Sequence, residues 1–260
     1  PGAAGEVCPD GAEPWATRCN ILRVPLPPGG QLGRLPCGDY PYIAEIPAGR
    51  NAELAAELAR DRLLATMGNA TCTPSQAGSI RRGIAPMSLS EYVEDWMGRS
   101  LSRDPSQNRY VFGEFGEQWA PLRDIYVPPP CASCSGSRAA ITIGLGGLHS
   151  GAPWHTHNAA FVEMLHGSKH FALLPPEDED TQEIREAIAN LSQLHWHRDV
   201  RPLMERAGRL ARLQECVIRP GELLYFPDNW FHGAVNMHSY TGFVSTFVEQ
   251  DSGADFVSLT

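Results

Sequence analysis

The chain has 260 residues, 42% of them hydrophobic, with a formal net charge of −9 and a pI near 5.5. That length and hydrophobic share allow one large domain with its own core. No apolar run reaches the ~18 residues of a membrane span and no run of Lys and Arg supplies the footprint of a nucleic-acid binder, so both function classes are set aside; the acidity serves solubility and could attract a basic peptide.

Residues 1–50 are rich in Pro, Gly and Cys and show little periodicity. They read as an irregular, disulfide-tied segment with short strands at Asn20–Val24 and Tyr42–Ile46. Asn51 then caps a helix through Met67, with Leu54, Leu58 and Leu64 near helical spacing and Gly68 as its stop. A second helix opens on the capping box Ser88 and Glu91, carries Leu89, Tyr92, Val93, Trp96 and Met97 on one stripe, and closes at Gly98.

From Ala139 the texture changes to short strands punctuated by Gly, Pro and Asn. The predicted strands are Ala139–Leu145, Phe161–Leu165, His170–Leu174, Glu215–Arg219, Glu222–Phe226, Gly233–Met237 and Gly242–Val248. A helical insertion at about 177–214 separates the third from the fourth, with Ile184, Ile188 and Leu191 marking one helix and Leu203, Ala207, Leu210 and Leu213 another. Many short strands with one helical insertion predict a mainly β barrel or sandwich covering 51–260, not a doubly wound sheet.

The compartment is read from cysteines and sequons. Seven cysteines, at 8, 19, 37, 72, 131, 134 and 216, exceed ordinary cytosolic usage. Two N-glycosylation tripeptides start at Asn69 and Asn190, and the first residue is Pro, as a removed leader would leave it. Together these favour an oxidising lumen or the extracellular side. Cys131-Ala132-Ser133-Cys134 has redox or zinc spacing but no second pair at a matching distance, so a local disulfide is expected, and thioredoxin-like chemistry is not, without the corresponding fold. The Pro128–Pro130 run ahead of it reads as a rigid connector.

The chemistry concentrates around Trp154-His155-Thr156-His157. Residues two apart on a strand point to one side, so both imidazoles can converge, and neutral imidazole is a common ligand of first-row metals. His232, after the turn Pro227-Asp228-Asn229, supplies a third ligand and a facial set. His195-Trp196-His197 has the same spacing but lies in the helical insertion, where a structural role is expected. Lys169, at a Gly-turned step between two strands, either meets a bound carboxylate inside the barrel or sits at the hairpin edge in solvent. Tyr225 is a candidate hydrogen-bond partner of a cofactor, with a core role as the alternative. Glu163 is either a reserve carboxylate facing the interior or a buried, hydrogen-bonded Glu elsewhere, and Trp154, Trp230 and Phe231 pack the walls or line a pocket.

The order Trp-His-x-His, Glu-Met-Leu-His-Gly-Ser-Lys, Leu-Leu-Pro-Pro-Glu and Arg-Pro-Gly-Glu-Leu-Leu-Tyr-Phe-Pro-Asp-Asn-Trp-Phe-His resembles JmjC-domain proteins over about residues 60–250, and within them a branch of the endoplasmic-reticulum lumen. The resemblance implies a double-stranded β-helix, a cupin jelly-roll barrel with N-terminal helices. It also implies Fe(II) chelated by 2-oxoglutarate, and hydroxylation of a protein client. By position, His155 and His232 match the first and last metal ligands, and Lys169 matches the anchor of the far carboxylate of 2-oxoglutarate. His157 stands where active members carry Asp or Glu, which removes a negative charge at the metal and suits Zn as well as Fe(II). Two functions are therefore carried forward: an Fe(II)/2-oxoglutarate protein hydroxylase, and a barrel that binds partners without oxidation. The chain ends soon after its last strand, so no helical dimerisation extension is expected.

Overall fold

The structure is a computed structural model, and the residues described are 14–76, 79–83, 85–101, 109–113, 116–134, 139–176 and 191–248. The Ile184–Ile188 stripe, the Asn190 sequon and Cys8 lie outside them.

The described strands are β1 (Leu22–Val24), β2 (Tyr42–Glu45), β3 (Thr71–Cys72), β4 (Ser75–Gln76), β5 (Ser79–Gly83), β6 (Met87–Ser88) and β7 (Arg109–Phe112). They continue with β8 (Ala139–Gly146), β9 (Ala160–His166), β10 (Lys169–Leu174), β11 (Gln214–Ile218), β12 (Glu222–Phe226), β13 (Phe231–Asn236) and β14 (Thr241–Val248). All seven predicted barrel strands are present. They form a nine-stranded sheet in the order β1-β2-β12-β9-β14-β8-β7-β4-β5 and a three-stranded sheet in the order β11-β10-β13. This mainly β architecture with two sheets enclosing one interior is a jelly roll.

The alternation of each strand sorts its side chains into two layers. Ala160, Val162 and Met164 of β9, Phe171 and Leu173 of β10, Leu224 and Phe226 of β12, and Phe243 and Phe247 of β14 share one core between the sheets. The intervening residues point outward: Phe161, Leu223 and Tyr225 pack with Tyr42 and Ala44. Ile143, Leu145 and Val244 meet the N-terminal helices. Both faces of the central strands are therefore buried, and the N-terminal segment contributes β1 and β2 to the large sheet.

The helix predicted over 51–67 is two helices, α1 (Ala52–Glu57) and α2 (Arg60–Met67), separated at Ala59, whose ψ of 133° is extended. The reason is geometric. At ~100° per residue, an unbroken helix would turn Leu63 away from Leu54, yet Leu54, Leu58 and Leu63 are all fully buried in one cluster. The break at Ala59 brings Leu63 round. The capping box is present, with Ser88 Oγ accepting from the Glu91 amide at 3.1 Å. α3 (Leu89–Glu91) then widens into a π turn over Tyr92–Trp96.

Of the insertion, Gln193–Val200 leads into α5 (Arg201–Arg206), after α4 (Ala120–Asp124) earlier in the chain. The buried Arg201 guanidinium fixes it to the small sheet, donating to both oxygens of Glu215 at 2.6 and 2.7 Å, and the Nε2 of His170 lies 3.1 Å from the same carboxylate. These partners hold Glu215 below the usual carboxylate range against the opposing effect of burial.

Among the described residues two disulfides are present, Cys19–Cys216 and Cys131–Cys134. The first closes a separation of 197 residues and ties the N-terminal segment to β11, where Asn20 also bonds the backbone of Leu213 and Glu215. Loop-closure entropy assigns it on the order of 5 kcal/mol, against about 2 kcal/mol for a four-residue ring. Urea melts should therefore show Cys19→Ser/Cys216→Ser losing about 3–5 kcal/mol and Cys131→Ser/Cys134→Ser about 2 kcal/mol at most. Equal losses would mean that the hydrogen bonds, not the long cross-link, hold the N-terminal segment.

Candidate metal centre

Residues 149–155 run as a ragged strand beside β13. The amides of Asn236, Ala234 and His232 donate to the carbonyls of Ser150, Ala152 and His155, and the His155 amide donates back to His232. Close approach is possible because position 151 lacks a side chain: a Cβ on Gly151 would lie 2.0 Å from the Ala234 carbonyl oxygen. The turn after β12 completes the frame. Asn229 takes the left-handed conformation, φ 59°, and its amide donates to the His157 carbonyl at 3.1 Å.

These contacts bring His155, His157 and His232 together. One ligand nitrogen from each lies within 4.8 Å of the others, and among the described residues this is the one group of three or more His, Cys, Asp or Glu suited to a metal ion. Each Nδ1 lies beside a backbone carbonyl: His155 to Pro153 at 2.7 Å, His157 to Asn158 at 2.6 Å, His232 to Trp230 at 2.8 Å. That fixes the Nδ1–H tautomer and leaves Nε2 as the ligand atom on all three rings, the arrangement that orients metal-binding histidines. Burial lowers the His155 pKa to about 4 and the His157 pKa to about 3, and takes His232 well below the ordinary value. The imidazoles are therefore neutral and ready to ligate at neutral pH. The donor set fits a divalent ion of the first transition row.

Lys169 stands at the inner start of β10 and is fully buried. Its Nζ donates to Tyr110 Oη at 2.5 Å and lies 3.7 Å from the centroid of the Phe243 ring and 4.5 Å from that of Tyr110. Among the described residues no carboxylate pairs with it, and burial lowers its pKa well below the usual lysine value. In the register it faces Asn236, while Leu173 faces His232. Lysine and metal ligand are thus four residues apart along paired strands, about 13 Å at the backbone, a gap that the long lysine side chain narrows. Asn236 Oδ1 and Thr142 Oγ1, both buried, have no hydrogen-bond partner. A buried amine that burial drives towards its neutral form, and that an incoming carboxylate would hold protonated, lies with uncommitted polar atoms in one apolar interior, a set that fits a small dicarboxylate.

Phe243 occupies part of that space. Position 144 has no Cβ, and one there would meet the Phe243 ring at 2.1 Å. Phe243 stacks with Tyr110 and Phe112, and His157 lies against Phe247 and Phe226 at centroid distances of 4.7 and 5.5 Å.

The remaining sequence candidates fall elsewhere. Tyr225 is on the outer face of β12 and donates to the Gly38 carbonyl at 2.9 Å, so it is a core tyrosine away from the ligands. Its neighbours Leu224 and Phe226 take the inward positions. Glu163 also points outward, bonded to Asn51 Nδ2 at 2.8 Å and Arg50 at 2.5 Å. His195 is exposed beside Asp199, and His197 is buried against Trp196 and His170. On a helix, residues two apart lie about 200° around the axis, so that pair cannot converge as a strand pair does. Trp154 packs edge-on to Trp196. The residue the sequence reading missed is Tyr110. One signal for Lys169 was also overlooked: it is the only lysine in the chain, the other 20 basic residues being arginines.

A family model described as a cupin-like domain matches residues 85–251. The chain is 35% identical over 203 residues to JmjC domain-containing protein 8 of Homo sapiens, covering 76% of this chain and 72% of that protein. It is 34% identical to the Rattus norvegicus protein of the same name, covering 76% and 71%. Lysine-specific demethylase JMJ21 of Arabidopsis thaliana is 28% identical over 151 residues, 53% of this chain and 14% of that protein.

Because metal binding needs unprotonated imidazole, the pKa values of about 4 and about 3 for His155 and His157 set where protons begin to compete. Co(II) titrations should give an affinity that is flat from pH 8 to about pH 6 and falls only below about pH 5. His232→Ala should weaken binding at least about tenfold at every pH. A tenfold loss already at pH 6 would mean imidazoles of ordinary basicity, and a different site.

Proposed function

This chain belongs to the cupin-like, JmjC-domain family, and on that footing we propose that it is an Fe(II)- and 2-oxoglutarate-dependent hydroxylase of protein side chains in an oxidising compartment. The observation that carries the reading is the pairing, in one interior, of three converging Nε2 atoms with a buried lysine lacking any carboxylate among the described residues. His155, His157 and His232 would hold the metal. Lys169 and the Tyr110 hydroxyl would take the far carboxylate of 2-oxoglutarate, with Thr142 Oγ1 and Asn236 as further polar contacts. Once bound, Fe(II) and 2-oxoglutarate supply O₂ activation and the two electrons it needs. The chain's own residues set orientation: the Nδ1–carbonyl bonds aim the imidazoles, and Phe226, Phe247 and Trp230 form the apolar side of the site, with His232 buried and His155 and His157 partly open. Two disulfides and the exposed Asn69 sequon support the lumen or cell exterior. The acidic balance suits a protein client with a basic segment.

A second reading, a barrel that binds metal and partner without oxidation, is favoured by His157 itself and by the Phe243 ring resting on Lys169. The two readings separate in one set of experiments. Tryptophan fluorescence of the anaerobic, Fe(II)-loaded protein should be quenched saturably by 2-oxoglutarate. Lys169→Ala should abolish that quenching, and Phe243→Ala should tighten it by about tenfold by freeing the ammonium face. 2-Oxoglutarate turnover by the wild type supports the hydroxylase. Turnover that arises only on His157→Asp, which restores the carboxylate, would leave the second reading.

A further inference from the structure

The loop 127–134, which neither reading above uses, carries a disulfide whose two sulfurs sit in different environments. Cys131 is partly exposed at the edge of the outer cluster of Leu35, Phe161 and Tyr225, next to an exposed Ala132, while Cys134 is fully buried within that cluster. Thiol–disulfide exchange is an in-line displacement, and this difference in burial favours attack at Cys131 with Cys134 as leaving group. The opposite attack, on Cys134, is blocked by the core.

The bond is also not what holds this loop. Arg50 donates to the carbonyls of Val127 and Pro128, Asn51 both donates to the Val127 carbonyl and accepts from its amide, and the Leu35 amide donates to the Pro130 carbonyl at 2.9 Å. The Cys131 amide itself donates to Pro129 at 2.8 Å. These contacts fix the segment up to the first cysteine whether the ring is closed or open. Cys19–Cys216 is different, since it joins two distant parts of the chain. The fixed segment thus leads into a pair whose first cysteine is partly exposed, and Val127, four residues before it, is 52% exposed.

We propose that Cys131–Cys134 is a redox-active pair that exchanges with thiols of a partner protein, a second activity separate from the barrel. A partner thiolate attacks Cys131 Sγ, the S–S bond breaks, and Cys134 leaves as thiolate and takes a proton from solvent. A second thiolate of the same partner attacks its own sulfur in the mixed disulfide and releases Cys131. The partner is oxidised by two electrons to a disulfide, and Cys131 and Cys134 are left as two thiols. A small-molecule disulfide of the glutathione type restores the bond by the same steps in reverse.

The test uses the full chain in glutathione buffers of graded ratio, with alkylation and peptide mapping. The 131–134 bond is expected to open and close reversibly as a two-electron couple while Cys19–Cys216 stays closed and the circular dichroism is unchanged. Cys134→Ser should trap glutathione on Cys131, about tenfold more than Cys131→Ser traps on Cys134. Because Cys134 is buried and its variant could misfold, the wild-type redox titration decides on its own. A bond that opens only when the fold is lost overturns the proposal, as does equal glutathione capture by two folded variants.

Discussion

The two reciprocal backbone hydrogen bonds between His155 and His232, each 2.9 Å, are the constraint on which the site depends. Their net contribution to stability is only about 1 kcal/mol each. Their effect is positional: they register an irregular loop against a barrel strand so that side chains 77 residues apart in sequence project into one volume. Everything near them serves that register. Gly151 permits the approach, Asn229 turns the chain so that its amide holds His157, and three carbonyls set the ring tautomers.

The interior contains a second constraint, a charge. Two cationic side chains are almost wholly buried in the described structure, Lys169 and Arg201, and the chain treats them differently. Arg201 has a bidentate carboxylate from Glu215, which repays the cost of removing its charge from water. Lys169 has a phenol oxygen and two ring faces. Those faces attract a cation weakly compared with a carboxylate. A chain with arginine at its other 20 Lys/Arg positions places its one lysine here, where the compact amine lies against the Tyr110 and Phe243 rings.

The sequence made the barrel strands legible because each is a short apolar run closed by Gly, Pro or Asn; in the histidine triad only the His155–His157 spacing is local, and His232, 77 residues on, was legible from its turn and from the resemblance. Side-chain direction was less legible. In β12 every residue from Leu223 to Phe226 is buried, so alternation leaves no polar mark to show that Phe226 faces inward and Tyr225 outward. The same ambiguity left Glu163 open between the interior and a buried hydrogen-bonded place elsewhere, and the structure takes the second, with Arg50 and Asn51 more than 110 residues earlier as partners. Tyr110 escaped notice because β7 is a four-residue strand without a flanking signal. The break at Ala59 depends on a tertiary requirement, the shared cluster of Leu54 and Leu63, which no local propensity encodes.

If the barrel binds metal and 2-oxoglutarate as proposed, His157 and the aromatic cover over Lys169 act on one quantity, the affinity for that anion. Three neutral imidazoles leave a divalent ion its full double charge, which strengthens attraction for a dianion in a low-dielectric interior. Phe243 works the other way, because its ring must leave the ammonium before a carboxylate can take its place. The two effects oppose each other in binding, and a carboxylate for the three imidazoles cannot come from Glu163, which is committed to Arg50 and Asn51 on the far face of β9. In the proposed hydroxylase the charge of the ligand set would therefore rest on residue 157, because His155 and His232 are neutral.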